Sequence, residues 1–213
     1  MAESSGTREP WRPLRWPTSP DAARALTDWL AGDPEDSFFA VDLDLRGADL
    51  SGGPFVESWF SRANLADTTL RGTEFWAAHC EETRFIRATL TDADFVKAHL
   101  HGASFVRAVL IAADFTRAEG LNARFVDADL RRAELGHAIF PDSDFTRANL
   151  SGAHVNATSF RDGTLVDAVV AGMSGSVIGP VEVAPGVRLG GAELEQWFAA
   201  RSAEVSVLRT ESV

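Results

Sequence analysis

The feature that most constrains this chain is a repeat of five residues that runs from residue 45 to residue 170. Every fifth residue in this stretch, here called the centre of its repeat, keeps one register without insertion. Leu or Phe fills 22 of the 26 centres, and only Gly120 is not apolar. The residue two places before each centre is Ala, Ser, Thr or Gly, except at Leu43. A repeat of this length sets the architecture and is interpreted before any local pattern.

Neither regular secondary structure keeps all these centres on one face. An α-helix turns about 100° per residue, so residues five apart drift by about 140° around it. Residues five apart on a straight strand lie on opposite faces. A turn within each five-residue unit keeps every centre inside. Because no unit can bury its own Leu or Phe, successive coils have to stack on one another.

When centres twenty residues apart are compared, the same residue type recurs. This indicates four repeats per coil, because identical side chains then stack on adjacent coils. One column of centres is Leu at 50, 70, 90, 110, 130 and 150, and the next begins with Phe at 55, 75, 95 and 115. At a spacing of about 4.8 Å between coils, the repeats form a rod of about 31 Å. The small residues fit the large centres into one narrow, densely packed interior. The absence of Tyr fits an interior without partners for a hydroxyl group.

The unit Ala-Asp/Asn-Leu/Phe-x-x, as at 48–50, 93–95, 113–115 and 148–150, resembles the pentapeptide-repeat family. The resemblance covers residues 45–170 of the 213. It implies an all-β fold, a right-handed quadrilateral β-helix with four repeats per coil.

The flanking segments differ from the repeat and predict a division into 1–36, 37–172 and 173–213. Ser19-Pro20-Asp21 predicts a helix start, with Ser as the N-cap, and the helix is expected to end at Gly32-Asp33-Pro34 and to cap the open end of the β-helix. Residues 38–41 are expected to form a strand. Trp11 and Trp16, among Pro10, Pro13 and Pro17, either pack on the first coil, which we favour, or belong to a mobile tail.

Gly and Pro residues cluster at 172–191, where the register of five fails. Apolar residues alternate there at Val181, Val183, Val187 and Leu189. Residues 190–201 then predict a short amphipathic helix, and residues 205–208 predict a strand.

Composition narrows the functional classes. The net charge of −11 and pI of about 4.9 argue against direct binding to nucleic acid or to an anionic membrane. No apolar run is long enough to cross a bilayer, and the chain is predicted to be cytoplasmic. The only cysteine, Cys80, is a repeat centre and is interpreted as a buried apolar residue. No catalytic motif is present, so we expect no enzyme activity and no cofactor.

Function is expected to lie in the surface columns. The residues before one column of centres include four consecutive acids, Glu74, Asp94, Asp114 and Glu134, which are either a functional stripe or a solvated face paired with Lys97 and Arg117. A second column, with Ile86, Val106 and Val126, contains either simple β-formers or a contact surface. His79, His99 and His101 lie close together, but their spacing is not that of a metal site and none is predicted.

The C-terminal order of strand, short helix and strand resembles the Qnr and MfpA branch of the family. This resemblance implies a homodimer joined through the C-terminus, and a DNA-mimicking rod that interacts with DNA gyrase or topoisomerase IV and confers resistance to topoisomerase inhibitors such as quinolones. The four acids would then face the enzyme. The alternative is a structural or interaction scaffold with an unrelated partner. The implied dimer contacts are Val187, Leu189, Leu194, Trp197, Phe198, Val205 and Val207.

Overall fold

The structure, a computed structural model, describes residues 11–33 and 36–208. Its named elements are two helices and five strands, which flank a long stretch of turns and single bridges. The N-terminal element is α1 (Pro20–Leu30). The others lie at the C-terminal end in the order β1 (His154–Ser159), β2 (Ser174–Ile178), β3 (Val181–Ala184), β4 (Val187–Leu189), α2 (Gly191–Ala199) and β5 (Glu204–Val207).

Parallel backbone bridges join residues that are twenty apart, so one coil consists of four five-residue repeats. Asp44 pairs with Asn64, for example, and Asn64 pairs in turn with Arg84. Within such a pair the Leu45 N–H donates to Asn64 O at 2.9 Å, and the Asn64 N–H donates to Leu43 O at 2.8 Å. A turn follows each bridge, so these pairs remain isolated and do not extend into continuous strands. The strand expected at 38–41 is for the same reason a single bridge, between Phe39 and Trp59.

The corner of each repeat depends on the second residue after the centre, which has a left-handed backbone conformation. Arg87 (φ 57°), Asp127 (φ 58°) and their equivalents in other repeats all have positive φ. The Ala88 N–H donates to Phe85 O at 3.1 Å and closes the turn. A left-handed conformation costs a non-glycine residue about 1–2 kcal/mol. The coil-to-coil hydrogen bonds that each corner allows offset this cost, so many residue types are tolerated there.

The interior contains two neighbouring columns of stacked phenylalanine rings. In one column the Phe75–Phe95 and Phe95–Phe115 centroids are 4.9 and 5.0 Å apart, with nearly parallel planes. The other column stacks Phe85, Phe105, Phe125 and Phe145 at 4.6–4.9 Å. Between the columns the rings meet edge to face, as Phe95 does with Phe105 at 5.6 Å. The inward placement of the centres is therefore confirmed, and Cys80 is buried among them.

Ser and Thr residues two places before a centre form hydrogen bonds through their hydroxyl groups. The expectation that the interior offers no partner for a hydroxyl group was therefore wrong. The Oγ atoms of Thr83, Thr158 and Ser143 each donate at 2.6 Å to the carbonyl of a centre 23 residues earlier. The wall of the coil therefore satisfies a short hydroxyl side chain. A Tyr hydroxyl would lie too far from its own backbone to use the same carbonyl.

Gly120 replaces a large centre, and Phe140 of the following coil fills the space. A Cβ atom on Gly120 would lie 2.6 Å from two ring carbons of Phe140. The Phe140 ring is held in place by edge-to-face contacts with Phe125 at 5.3 Å and Phe145 at 5.9 Å. The ring of a neighbouring centre therefore fills the space that Gly120 leaves in the interior.

The N-terminal segment packs on the first coil. Ser19 is the N-cap of α1, with its Oγ accepting from the Ala22 N–H at 3.4 Å, and Pro20 begins the helix as predicted. Trp29 of α1 contacts Phe38 and Phe55 at centroid distances of 5.2 and 5.5 Å. Trp11 meets Phe55 edge to face at 5.3 Å, so it lies against the first coil. Pro10 and Pro34, which the sequence analysis also named, lie outside the described residues.

The C-terminal segment continues the stack beyond the last regular repeat. β1, β2 and β5 form a parallel sheet in that order, with His154 opposite Ser174 and Ser174 opposite Glu204. Gly175 (φ 118°) replaces a centre because a Cβ there would lie 1.7 Å from Val155 O. β3 and β4 form an antiparallel hairpin. The parallel sheet thus contains strands from both sides of residue 172. The domain boundary proposed at that residue stays a prediction.

We predict that Gly120→Ala destabilises the protein by about 1–3 kcal/mol, because the methyl group collides with a ring that has no free space. Chemical denaturation followed by circular dichroism measures the change. Gly136→Ala is the matched control, since the nearest atom to its added Cβ is Thr116 Oγ1 at 4.0 Å. The control should be neutral or stabilising by up to about 1 kcal/mol. Equal effects of the two substitutions would contradict the infilling by Phe140.

Candidate binding surfaces

The four predicted acids lie in one column on the outside of the rod. Consecutive parallel bridges join Glu74 to Asp94, Asp94 to Asp114, and Asp114 to Glu134. Neighbouring members are therefore about 4.8 Å apart, the spacing of adjacent strands. Pro54 precedes the column and His154 follows it. We call Glu74, Asp94, Asp114 and Glu134 the acidic ladder.

Two members of the acidic ladder also shape their own turn. Asp94 Oδ1 accepts from the Val96 N–H, and Asp114 Oδ1 from the Thr116 N–H, both at 2.8 Å. This side-chain bond to the backbone two residues on is the common reason for Asp or Asn at a turn. Glu74 and Glu134 form no such bond among the described residues. The turn thus explains an Asp at two of the four positions, while the negative charge at all four remains facing outward.

The basic residues expected to neutralise the acidic ladder do not pair with it. Within residues 11–33 and 36–208, none of its carboxylates forms an ion pair. Lys97 instead places its Nζ 4.7 Å from the centre of the Trp76 ring. Among the residues that the structure describes, the ladder is therefore a column of like charges without ion-pair partners, half-exposed or exposed.

A different column, at the corners, contains several of the ion pairs of the rod. Asp67 pairs with Arg87 at 2.6 Å, Asp127 pairs with Arg147 at 2.6 Å, and Arg107 approaches Asp127 at 3.9 Å. The hydrogen bond from Arg147 lowers the pKa of Asp127, and that from Arg87 lowers the pKa of Asp67. Sequence reasoning missed these pairs. Reading the second residue after each centre at a spacing of twenty would have found them.

A third surface is aromatic. Phe39 stacks on Trp59 with centroids 6.2 Å apart, Trp59 on His79 at 3.8 Å, and His79 on His99 at 4.9 Å. We call these four residues the aromatic ladder. Phe39 is 65% exposed and Trp59 is 39% exposed, which is unusual for large aromatic side chains. His79 and His99 were expected to lie close together, and Phe39 and Trp59 extend their column, which was not expected.

The seven residues expected at a dimer contact divide into two groups. Leu194, Phe198 and Val205 are buried within their own protomer. The others reach the surface to different extents: Val187 is 46% exposed, while Leu189, Trp197 and Val207 are half-buried. The structure places all seven on or beside α2, β4 and β5. Their contact with a second copy stays a prediction.

The backbone of β5 is partly protected. The Val207 N–H donates to Glu195 Oε1 of α2 at 2.8 Å. On its other side β5 pairs with β2. Any contact at this end is thus expected to use side chains such as Trp197, whose ring also has the Arg201 guanidinium 4.2 Å above its centre.

The sequence profile described as pentapeptide repeats (8 copies) matches residues 58–95, 83–119 and 123–162. This chain is a pentapeptide-repeat protein. Members of such a repeat family act by presenting surfaces, and the geometry agrees, since the interior of the described coils is filled with side chains. Neither helix in the described part of the chain is long and apolar enough to cross a membrane. No curated protein matches the chain in sequence.

Several solved structures are similar to it at low identity. HetL, a pentapeptide repeat protein involved in heterocyst differentiation regulation in Nostoc sp. strain PCC 7120, is 20% identical, covers 75% of this chain and 89% of its own, and has a TM-score of 0.30. Full-length QnrB1, a plasmid-mediated fluoroquinolone resistance protein, is 16% identical with coverages of 81% and 93% and a TM-score of 0.38. Rfr23 from the cyanobacterium Cyanothece 51142 is 20% identical with coverages of 56% and 87% and a TM-score of 0.35. Scores this low establish neither a shared partner nor a shared activity.

We predict that Asp127→Asn lowers the melting temperature at low salt, because Arg147 and Arg107 lose their partner. Asp92→Asn is the matched control, since Asp92 has the same left-handed corner conformation (φ 57°) but no ion pair among the described residues. The difference should shrink in about 1 M salt. It should also shrink as the pH falls below about 4 and disappear below the lowered pKa of folded Asp127, because the contribution is complete above the unfolded pKa and is lost as the folded carboxylate is protonated. A salt-independent difference would point to another cause.

Proposed function

We propose that this protein is a non-enzymatic binding protein, a right-handed rod capped at both ends, whose acidic ladder engages the DNA-binding surface of DNA gyrase or topoisomerase IV. The proposal combines the C-terminal resemblance to the Qnr and MfpA branch with one structural observation. That observation is the column of four stacked carboxylates without ion pairs within the described chain. A surface that binds DNA is built to accept such a column of negative charge.

The charge spacing of the acidic ladder is regular, like that of one DNA strand, but somewhat wider. Duplex DNA carries one charge per about 3.4 Å along each strand. The ladder carries one per about 4.8 Å. Because the bridges join the four residues on consecutive coils, the four charges form one continuous column along the rod.

The rod as a whole is much less negative than DNA. Residues 42–170 contain 19 acidic and 13 basic residues, a net charge of −6. Duplex DNA of about 31 Å would carry about 18 negative charges. The proposed mimicry therefore rests on shape and on one side of the rod. Binding is expected to depend on the ladder rather than on net charge.

The absence of insertions in the repeat affects the expected consequence of binding for the topoisomerase. No insertion interrupts residues 45–170, so no large loop projects from the rod. Several Qnr-type proteins use such loops to protect the topoisomerase from a drug, whereas MfpA-type proteins lack them. We therefore propose inhibition of the enzyme as the primary effect, and drug resistance as the second part of the same proposal.

A scaffold with an unrelated protein partner is the second candidate function. The aromatic ladder favours it, because Phe39 and Trp59 expose large rings next to the partly exposed Val41. Aromatic residues are enriched in the central contacts of protein interfaces. The aromatic and acidic ladders lie on different sides of the coil, so substitutions can separate the two functions.

The central test is inhibition of gyrase supercoiling by the purified protein, with and without the acidic ladder. The variant Glu74→Gln, Asp94→Asn, Asp114→Asn, Glu134→Gln removes four charges and keeps the side-chain oxygen that each Asp uses in its turn. We expect inhibition by the wild type and a loss of at least about tenfold in potency for the variant, as expected when several charge contacts are removed. A fluoroquinolone cleavage assay in parallel measures protection.

The matched control changes net charge equally at other exposed positions: Glu57→Gln, Glu82→Gln, Asp92→Asn and Asp142→Asn. We expect this control to inhibit gyrase like the wild type. Equal loss in both variants would mean that net charge alone matters. If the folded wild type neither inhibits nor protects the enzyme at micromolar concentration, the gyrase proposal is abandoned in favour of the scaffold.

The dimer can be tested separately by light scattering. We expect a wild-type dimer that Trp197→Glu dissociates, because the substitution places a charge in the proposed contact. Val187→Glu should have the same effect without disturbing the core, since Val187 is 46% exposed. Val169→Glu, at a 48% exposed position on the rod, is the control and should remain dimeric. A monomeric wild type would mean that the C-terminal segment serves only its own chain.

A further inference from the structure

We propose that His99, His101 and Glu119 form a binding site for a divalent transition-metal ion such as Zn²⁺. One ligand atom from each of these side chains lies within 4.8 Å of the others. This differs from the sequence-based expectation of no metal site, which considered spacing along the chain and not across coils. The site is independent of the proposed gyrase binding.

The repeat geometry explains why these residues meet. His99 and His101 flank the buried centre Leu100, so both side chains leave the same side of one coil. Glu119 lies directly opposite His99 on the next coil, to which it is joined by a parallel bridge. Two ligands thus come from one repeat, and the third comes from twenty residues later. A separation of twenty residues in sequence is not found among common metal motifs. In this fold, however, residues twenty apart occupy equivalent positions on adjacent coils and lie side by side.

The ring of His99 is already oriented. It stacks on His79 with centroids 4.9 Å apart and planes at 14°, and His79 stacks on Trp59 at 3.8 Å. A ligand held in one orientation loses less conformational freedom when it binds an ion. Bonds of about 2.0–2.1 Å to a tetrahedral ion require ligand atoms about 3.3 Å apart. Rotation of the exposed Glu119 side chain is the simplest movement that brings the three atoms together.

The ligand types select the metal class. Two imidazoles and one carboxylate suit Zn²⁺, Co²⁺, Ni²⁺ or Cu²⁺, whereas Mg²⁺ and Ca²⁺ prefer oxygen ligands alone. Three protein ligands leave one position of a tetrahedral ion for water. The ion would link two adjacent coils on the outside of Gly120, the centre without a side chain.

Binding has one identifiable consequence for the backbone. His101 Nδ1 accepts a hydrogen bond from the Leu121 N–H at 3.0 Å. Coordination through Nδ1 removes this acceptor, since the metal takes the same lone pair. Coordination through Nε2 also removes it, because the ring proton then lies on Nδ1. Either way the Leu121 amide loses its partner when the metal binds, and this exposed group turns to water.

The experiment is titration of chelator-treated, untagged full-length protein with ZnCl₂ by isothermal calorimetry. We expect one equivalent to bind with a dissociation constant in the micromolar range or below, and a rise in melting temperature because the ion binds only the folded chain. His99→Ala, His101→Ala and Glu119→Gln should each weaken binding by at least about tenfold. The control, His137→Ala, changes a histidine outside the cluster and should bind like the wild type.

Two further measurements keep the result unambiguous. Unchanged melting temperatures of the metal-free variants exclude misfolding as the cause of lost binding. Amide NMR should show a shift of the Leu121 signal on addition of Zn²⁺. Absence of saturable binding overturns the proposal, as does binding that survives in the double variant His99→Ala, His101→Ala. Equally strong binding of Mg²⁺ also overturns it, because it would indicate general attraction of cations to the acidic surface.

Discussion

The structure depends on a single distance, the spacing between backbone segments that hydrogen-bond across adjacent coils. Each residue in the wall of the rod is bonded to residues about twenty positions away, as in the pairs Asp44–Asn64 and Asn64–Arg84. The spacing of about 4.8 Å is a property of the peptide backbone and not of any side chain. Everything attached to the coils therefore repeats at that interval, inside and outside.

The same interval has opposite energetic consequences on the two sides of the wall. Inside, it places phenyl rings at 4.6–5.0 Å, close to van der Waals contact between parallel faces. Outside, it brings like charges together unless the sequence alternates them. The corner column brings opposite charges together, with Arg87 on Asp67 and Arg147 on Asp127, whereas the acidic ladder contains no cation between Glu74 and Glu134. A column of four consecutive like charges is where a binding function is most reasonably sought, since only Asp94 and Asp114 have a local role in the turn.

Much of the fold could be predicted from the sequence, because the centres recur at a constant interval of five residues. The inward Leu and Phe centres, the cap at Ser19 and the helix ending near Leu30 follow from residue types and their order. The left-handed corners could not be predicted, because residues as different as Arg87 and Asp127 adopt them under the constraint of neighbouring coils. The strand expected at 38–41 was wrong for a related reason: the turn recurs before a second consecutive pair can form.

The candidate sites show the same division between local and long-range information. The acidic ladder was found by reading the sequence at intervals of twenty. The ion pairs at the corners, the extension of the histidine stack to Phe39, and the meeting of Glu119 with His99 and His101 need that interval combined with the outward direction of each side chain. The hairpin of β3 and β4 lies beyond the repeat, so no counting rule applied to it.

A stack of near-identical layers has no inherent length, and its last layer resembles a template for the next. The Glu195 carboxylate, which accepts from the Val207 amide, removes one donor from that template and presents negative charge in its place. A second molecule approaching end to end would have to displace this carboxylate before it could add a layer. One acidic side chain on a short helix thus works against filament growth by backbone pairing at this end, while side chains there stay available for contact.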